Sequence, residues 1–94
     1  MRVTAPVILP TRLDSAAAAE LAQALGAHEG TDVALDAAGV DLMGAKAMQT
    51  LLVAAAAWRA AGHGFAVTGL SERVRGQLAM LGLADLSLIE GDAP

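Results

Sequence analysis

Cysteine is absent from this chain, and its absence excludes several kinds of chemistry at once. Without thiols there is no disulfide bond, no cysteine nucleophile and no thiolate metal site. The two histidines, His28 and His63, lie far apart in the chain and lack the short spacing of metal ligands. The composition therefore predicts a protein without a metal or other cofactor, and it fits a reducing compartment.

Aromatic residues and clustered positive charge are also scarce. One tryptophan and one phenylalanine are the aromatic residues of the 94-residue chain, and lysine and arginine together number six. The basic residues are scattered, and the formal net charge is −4. Nucleic-acid binding needs concentrated positive charge, and stacking on bases needs aromatic platforms. We therefore expect no nucleic-acid partner.

Long hydrophobic runs are missing as well. The longest weakly polar run, residues 50–58, is far shorter than the roughly 20 residues that span a bilayer. The N-terminus lacks the basic region and apolar run of a signal peptide. We therefore expect no membrane insertion and a cytoplasmic location. A chain of 94 residues has room for one core, so residues 1–94 are expected to form a single domain.

Alternating strands and helices are predicted from the spacing of the hydrophobic residues, which make up 55% of the chain. Strands are predicted at residues 3–9, 32–36 and 65–68, and residues 86–89 are either a last short strand or an apolar strap. Helices are predicted at residues 16–27, at 44–61, and from Ser71 to the stop signal at Gly82. Asp14 or Ser15 is the expected cap of the first helix, and Ser71 of the third. This alternation predicts an α/β domain with parallel pairing and helices mainly on one face of a small sheet.

The helical period of 3.6 residues assigns each helix an inward face. The predicted inward residues are Ala18, Leu21, Ala22 and Leu25 in the first helix, Ala47, Met48, Leu51, Ala55 and Trp58 in the second, and Val74, Leu78 and Leu81 in the third. The second helix then presents Lys46, Gln49, Val53, Ala56, Ala57 and Ala60 outward. Only one of these is charged, whereas an exposed helix face is normally charged and polar.

Several segments in order resemble the STAS domains, the family of anti-sigma-factor antagonists. The segments are Leu13-Asp14 before a small-residue helix, the strand of residues 33–40 ending in Ala-Gly-Val, the Ala-Gly-His-Gly-Phe-Ala-Val step at 61–67, and Gly69-Leu70-Ser71 followed by Leu81-Gly82-Leu83. The resemblance implies a mixed sheet of about four or five strands. It also implies a regulatory module that binds proteins and is not an enzyme.

The turn before the second helix departs from the family pattern. STAS domains usually carry a phosphorylated serine there, but this chain reads Gly44-Ala45-Lys46-Ala47. Neither serine nor threonine occurs between Gly39 and Gln49, and Thr50 is the first hydroxyl in the helix. The sequence therefore predicts a STAS domain without a phosphorylation site in this turn.

The likeness is strongest to the STAS-like proteins of bacterial chemotaxis operons. It rests on Leu-Pro-Thr-Arg-Leu-Asp at residues 9–14 and on the turn from Gly44 to Gln49. This turn leads into the second helix, which contains Leu51 and Leu52. This likeness implies docking on a chemotaxis histidine kinase or a related pathway component. One alternative is a small cytoplasmic subunit of a lipid-transport complex, bound to an ABC-type ATPase. An alternative of another class is an enzyme or small-ligand protein with a pocket near Gly44.

The candidate partner-binding surface is the turn and the outward face of the second helix, namely Gly44, Ala45, Lys46, Gln49, Val53 and Ala57. Lys46 is either a fixed charge for an acidic partner, or a lysine that is solvated or paired with Asp14, Asp36 or Asp41. The alanine stripe indicates either close docking of a protein or simply helix propensity. Asp36 and Asp41 also invite an acid/base interpretation, but capping or solvation is the simpler one.

Overall fold

The computed structural model describes residues 7–82, which form five short strands and three helices. The strands are β1 (Val7–Ile8), β2 (Arg12–Leu13), β3 (Val33–Asp36), β4 (Leu42–Met43) and β5 (Phe65–Thr68). The helices are α1 (Ser15–Gly26), α2 (Ala45–Ala60) and α3 (Glu72–Met80). The first part of the strand predicted at 3–9 and the segment at 86–89 lie outside the described residues.

The strands pair in two small parallel sheets. In the first sheet β3 lies between β1 and β5, with Leu35 opposite both Val7 and Val67. The second sheet pairs β2 with β4, with Leu13 opposite Met43. Pro10, which has no amide hydrogen to donate, separates β1 from β2. The predicted α/β class is therefore confirmed. The five strands are divided between two ladders, and both ladders are parallel within residues 7–82.

Local capping interactions fix where the helices begin. Asp14 Oδ1 accepts a hydrogen bond from the amide of Ala17 at 3.0 Å, and Ser71 Oγ accepts one from Val74 at 3.2 Å. These side chains satisfy amides that have no partner within the first turn, as the sequence predicted. α2 instead begins at Gly44, which makes no side-chain cap. A Cβ at Gly44 would lie 3.3 Å from the carbonyl oxygen of Leu13, so glycine permits the close approach of the two segments.

A single apolar core lies between the three-stranded sheet and the helices. Strands β3 and β5 alternate buried and more exposed residues, and Leu35 and Val67 are almost completely buried. Ala47, Leu51, Ala55 and Trp58 are buried as predicted, and Ala54 is buried with them.

Three predicted inward residues are not buried. Met48 is only half-buried, at the edge of the buried face of α2. Ala22 is exposed because Ala18, Leu21 and Leu25 already supply the stripe of α1 that faces the core. Leu81 is 41% exposed because it follows the last residue of α3.

Gly69 offers a test of backbone constraint in this fold. Its φ is +78°, and a Cβ there would lie 3.0 to 3.1 Å from atoms of Ala38. Gly30 has a similar φ of +86° with no atom within 4 Å of the position of a Cβ. Gly30→Ala is expected to lower the free energy of unfolding by about 1–2 kcal/mol, the cost of a left-handed conformation.

Gly69→Ala should lower the free energy of unfolding by that amount plus about 1–3 kcal/mol. The additional loss comes from the clash of the new Cβ with Ala38, whose backbone N and Cα are among the atoms contacted. Urea denaturation of both variants with unchanged m-values measures the difference. Equal losses for the two variants would mean that Ala38 moves aside freely.

Candidate functional site

A groove of about 560 Å³ lies between α1 and α2. We call it the α1–α2 groove. Its lining residues are Ser15, Ala18, Ala19, Ala22, Leu25, Gly26 and Glu29 on the side of α1, and Lys46, Gln49, Thr50, Val53, Ala54, Ala57 and Trp58 on the side of α2. Most of these side chains are apolar and small. The groove is therefore broad, with polar groups mainly towards its ends.

The two helices run in the same direction along the groove. α1 leads from β2 into β3 and α2 from β4 into β5, and the strands of each sheet are parallel. Near the far ends of the helices, Trp58 Nε1 donates a hydrogen bond to the carbonyl oxygen of Thr31 at 2.8 Å. Both helices therefore start at the end marked by Ser15 and Lys46.

Four of the six predicted binding residues lie together in this groove. Lys46, Gln49, Val53 and Ala57 are all exposed, and Val53 has 69% of its surface accessible. Gly44 and Ala45 precede them at the start of α2 but do not line the groove. The predicted outward phase of α2 is therefore confirmed, whereas the role of these residues in binding stays a prediction.

Lys46 makes no ion pair with any residue in the range 7–82. The carboxylates proposed for it have other partners: Asp14 caps α1, Asp36 Oδ1 accepts from the amide of Ala38 at 2.9 Å, and Asp41 lies 3.5 Å from Arg73. Asp36 and Asp41 thus have the structural roles expected of capping and surface carboxylates. A cation in the first turn of a helix costs about 0.3–1 kcal/mol at low salt, which nothing in the described residues offsets.

Thr50 is the hydroxyl nearest to the family's switch position. Its Oγ1 donates to the carbonyl oxygen of Lys46 at 2.9 Å, one turn earlier in α2, and the residue is half-buried. This is the back-bond that threonine often makes inside helices. Thr50 therefore lies inside α2, where its hydroxyl is hydrogen-bonded to the helix backbone, and it is not part of the turn before the helix.

We expect no phosphate on the turn of residues 39–49, because it contains no hydroxyl. The test is incubation with candidate partner kinases and ATP, followed by mass spectrometry. Lys46→Ser, which introduces a hydroxyl at the position that the resemblance predicts to match the family's serine, is the control for kinase competence. Phosphate on wild-type Thr50 that abolishes partner binding would contradict a domain without a switch.

Gln77 in α3 is a residue that sequence reasoning missed. Its side-chain Oε1 accepts from the amide of Met43 at 2.8 Å, and its Nε2 donates to the carbonyl oxygen of Asp41 at 3.1 Å. One side chain thus satisfies two backbone groups, one in β4 and one just before it, close to Gly44. No local signal marks such a glutamine, because its partners are distant in the sequence.

The two histidines lie just beyond helix ends, as predicted. His28 follows α1, and His63 follows α2 with its Nδ1 3.8 Å from Oδ1 of Asp32. Asp32 Oδ1 also accepts from the amide of Gly64 at 2.8 Å. Within residues 7–82, the structure brings together no group of three histidine or acidic side chains that could hold a metal ion. No helix in this range has the length and hydropathy to cross a membrane.

Residues 2–90 match the family model described as "Mlab, STAS domain". The chain belongs to the STAS domain family. Comparisons with curated proteins and with solved structures give no match. STAS domains are generally non-catalytic modules that interact with protein partners, and membership makes this chain a regulatory module like the anti-sigma-factor antagonists.

The turn Gly44-Ala45-Lys46-Ala47 lies where β4 passes into α2. Its match to the family's switch turn, with Lys46 in place of the serine, stays a prediction from the sequence. The α1–α2 groove begins at Lys46, two residues after Gly44, so a pocket near Gly44 that takes a small ligand stays a prediction.

Proposed function

We propose that this STAS domain is a non-catalytic, cytoplasmic binding module that docks on a protein partner through the turn at Gly44 and the outward face of α2. The observation that carries the proposal is the exposed face of α2. Lys46 and Arg59 are the charged residues among the exposed residues of α2, none of which is acidic, and the helix borders a mostly apolar groove, whereas a solvated helix face is normally charged. Thr50 Oγ1 is bonded to the carbonyl oxygen of Lys46, and most side chains of the groove are small and apolar, so the groove suits binding better than catalysis.

The proposed partner is a chemotaxis histidine kinase or another component of that pathway. This proposal rests on the likeness of residues 9–14 and of the turn into α2 to the STAS-like proteins of chemotaxis operons. The second candidate is an ABC-type ATPase of a lipid-transport complex, because small STAS subunits serve such complexes. Calorimetric titration with the kinase and with the ATPase from the same bacterium distinguishes the two, since only the true partner should saturate the domain.

Lys46→Glu tests whether the lysine is a docking charge. The variant is expected to weaken partner binding by more than about tenfold, or 1.4 kcal/mol. Folding should be almost unchanged, because a glutamate suits the first turn of a helix better than a lysine does. The measurements are the Kd by calorimetry and the Tm of the free domain.

Arg12→Glu is the matched control for the loss of positive charge, because Arg12 is exposed and does not line the groove. Its affinity should remain close to that of the wild type. Equal affinity of wild type and Lys46→Glu would show that Lys46 is only solvated.

A further inference from the structure

The α1–α2 groove carries opposite charges at its two ends. Lys46 lies at one end and Glu29 lies beyond α1 at the other, and neither side chain forms an ion pair within residues 7–82. Both helices also begin at the Lys46 end. Asp14 caps α1 there, whereas the first turn of α2 has no acidic residue, so the dipole of α2 adds to this polarity. The groove is therefore positive where the helices start and negative where they end.

Between these ends the side chains that line the groove are mostly small, and none is charged. Ala18 and Ala54 are almost buried at the base, while Ala19, Ala22 and Ala57 are exposed along the rims. Side chains of this size allow the backbone of another helix to approach closely. From Lys46 to Ala57 the groove follows α2 for roughly 16 Å, the length of about three helical turns.

We propose that the α1–α2 groove receives a single α-helix of the protein partner, about three turns long, which runs antiparallel to α1 and α2. This inference rests on the proposed function and specifies what is docked. The antiparallel direction places the negative C-terminal end of the incoming helix at Lys46 and its positive N-terminal end at Glu29. The complementary helix carries a seam of small apolar residues, an acidic side chain near its C-terminal end and a basic side chain near its N-terminal end.

Two synthetic peptides of identical composition test the direction of the helix. Both have about 14 residues and an alanine and leucine seam. The matched peptide has lysines near the N-terminus and glutamates near the C-terminus, and the reversed peptide exchanges them. A lactam bridge on the outward side holds both helical, because short peptides are marginal helices and the matched charges oppose the peptide's own dipole.

The readout is a titration of the full-length, isotope-labelled domain to millimolar peptide, followed by amide chemical shifts. The matched peptide is expected to shift the amides of Ala19, Ala22, Val53 and Ala57, and to bind at least about fivefold more tightly than the reversed peptide. The double variant Lys46→Glu/Glu29→Lys should invert that preference. A spin label at the glutamate end of the matched peptide should broaden the amide of Gln49 more than that of Ala57.

Three results would overturn the proposal: equal binding of the two peptides, preference for the reversed one, or shifts confined to other surfaces. Dodecanoate is titrated in parallel, and shifts in the groove with dodecanoate but with neither peptide would mark a small-amphiphile site instead. Failure of the proposed function gives a different result: the groove variant Ala57→Glu would then leave the complex with the kinase or ATPase intact. If Ala57→Glu disrupts that complex while the two peptides bind equally well, docking at the groove stands and the antiparallel helix is wrong.

Discussion

Ala57→Glu is expected to abolish binding of the protein partner, with a rise in Kd of at least about a hundredfold, or 2.7 kcal/mol. Ala57 is exposed on α2 and lines the α1–α2 groove, so a larger side chain there blocks close approach of a docked segment. Calorimetry against the partner measures the loss.

The free domain should hardly be affected by this substitution. Glutamate is nearly as good a helix former as alanine at an exposed site, so the Tm of Ala57→Glu should stay close to that of the wild type. Ala56→Glu is the matched control, because Ala56 is exposed on the same helix but does not line the groove. If Ala56→Glu disrupts the complex as strongly as Ala57→Glu, the interface is not the groove.

Leu51→Ala is expected to have the largest effect on stability. Leu51 has 0% of its surface accessible and lies at the centre of the buried face of α2. Truncation removes apolar contacts and leaves a cavity, for a loss of roughly 2–5 kcal/mol. Small domains have a free energy of unfolding of about 5–15 kcal/mol, so this loss is a large fraction of the total.

Leu52→Ala provides the same chemical change at the neighbouring, half-buried position. Its loss should be clearly smaller, because a partly exposed side chain forfeits less burial and leaves no enclosed cavity. Urea denaturation of both variants measures the two free energies of unfolding. Similar losses at the two positions would mean that α2 packs with a different rotation.

The sequence predicted what depends on neighbouring residues. Caps at Asp14 and Ser71 act across three residues, and the outward phase of α2 follows from the spacing of Leu51, Ala55 and Trp58. The turn at Gly44 and the absence of a hydroxyl between Gly39 and Gln49 could also be predicted, because both are properties of one short segment. The order of elements and the family resemblance then predicted the α/β class.

Errors arose where the outcome depended on what packs against an element. Ala22 lies at a position where the helical period predicts an inward residue, but it is exposed and lines the groove. The buried face of α1 consists of Ala18, Leu21 and Leu25 and does not extend to Ala22. The two-residue strands β2 and β4 were not predicted as strands. Each is too short to show an alternating pattern, and they exist because they pair with each other.

By itself, then, the sequence determined the three helices, the strands β3 and β5 and the exposed, weakly charged face of α2, because each follows from local periodicity and capping. Only the tertiary structure decided that α1 borders this face to form a groove, with Lys46 at one end and Glu29 at the other. It also decided that Gln77 of α3 fixes the strand before Gly44. These features join residues distant in the chain, and their positions depend on how parallel crossovers stack whole elements, which no local pattern encodes.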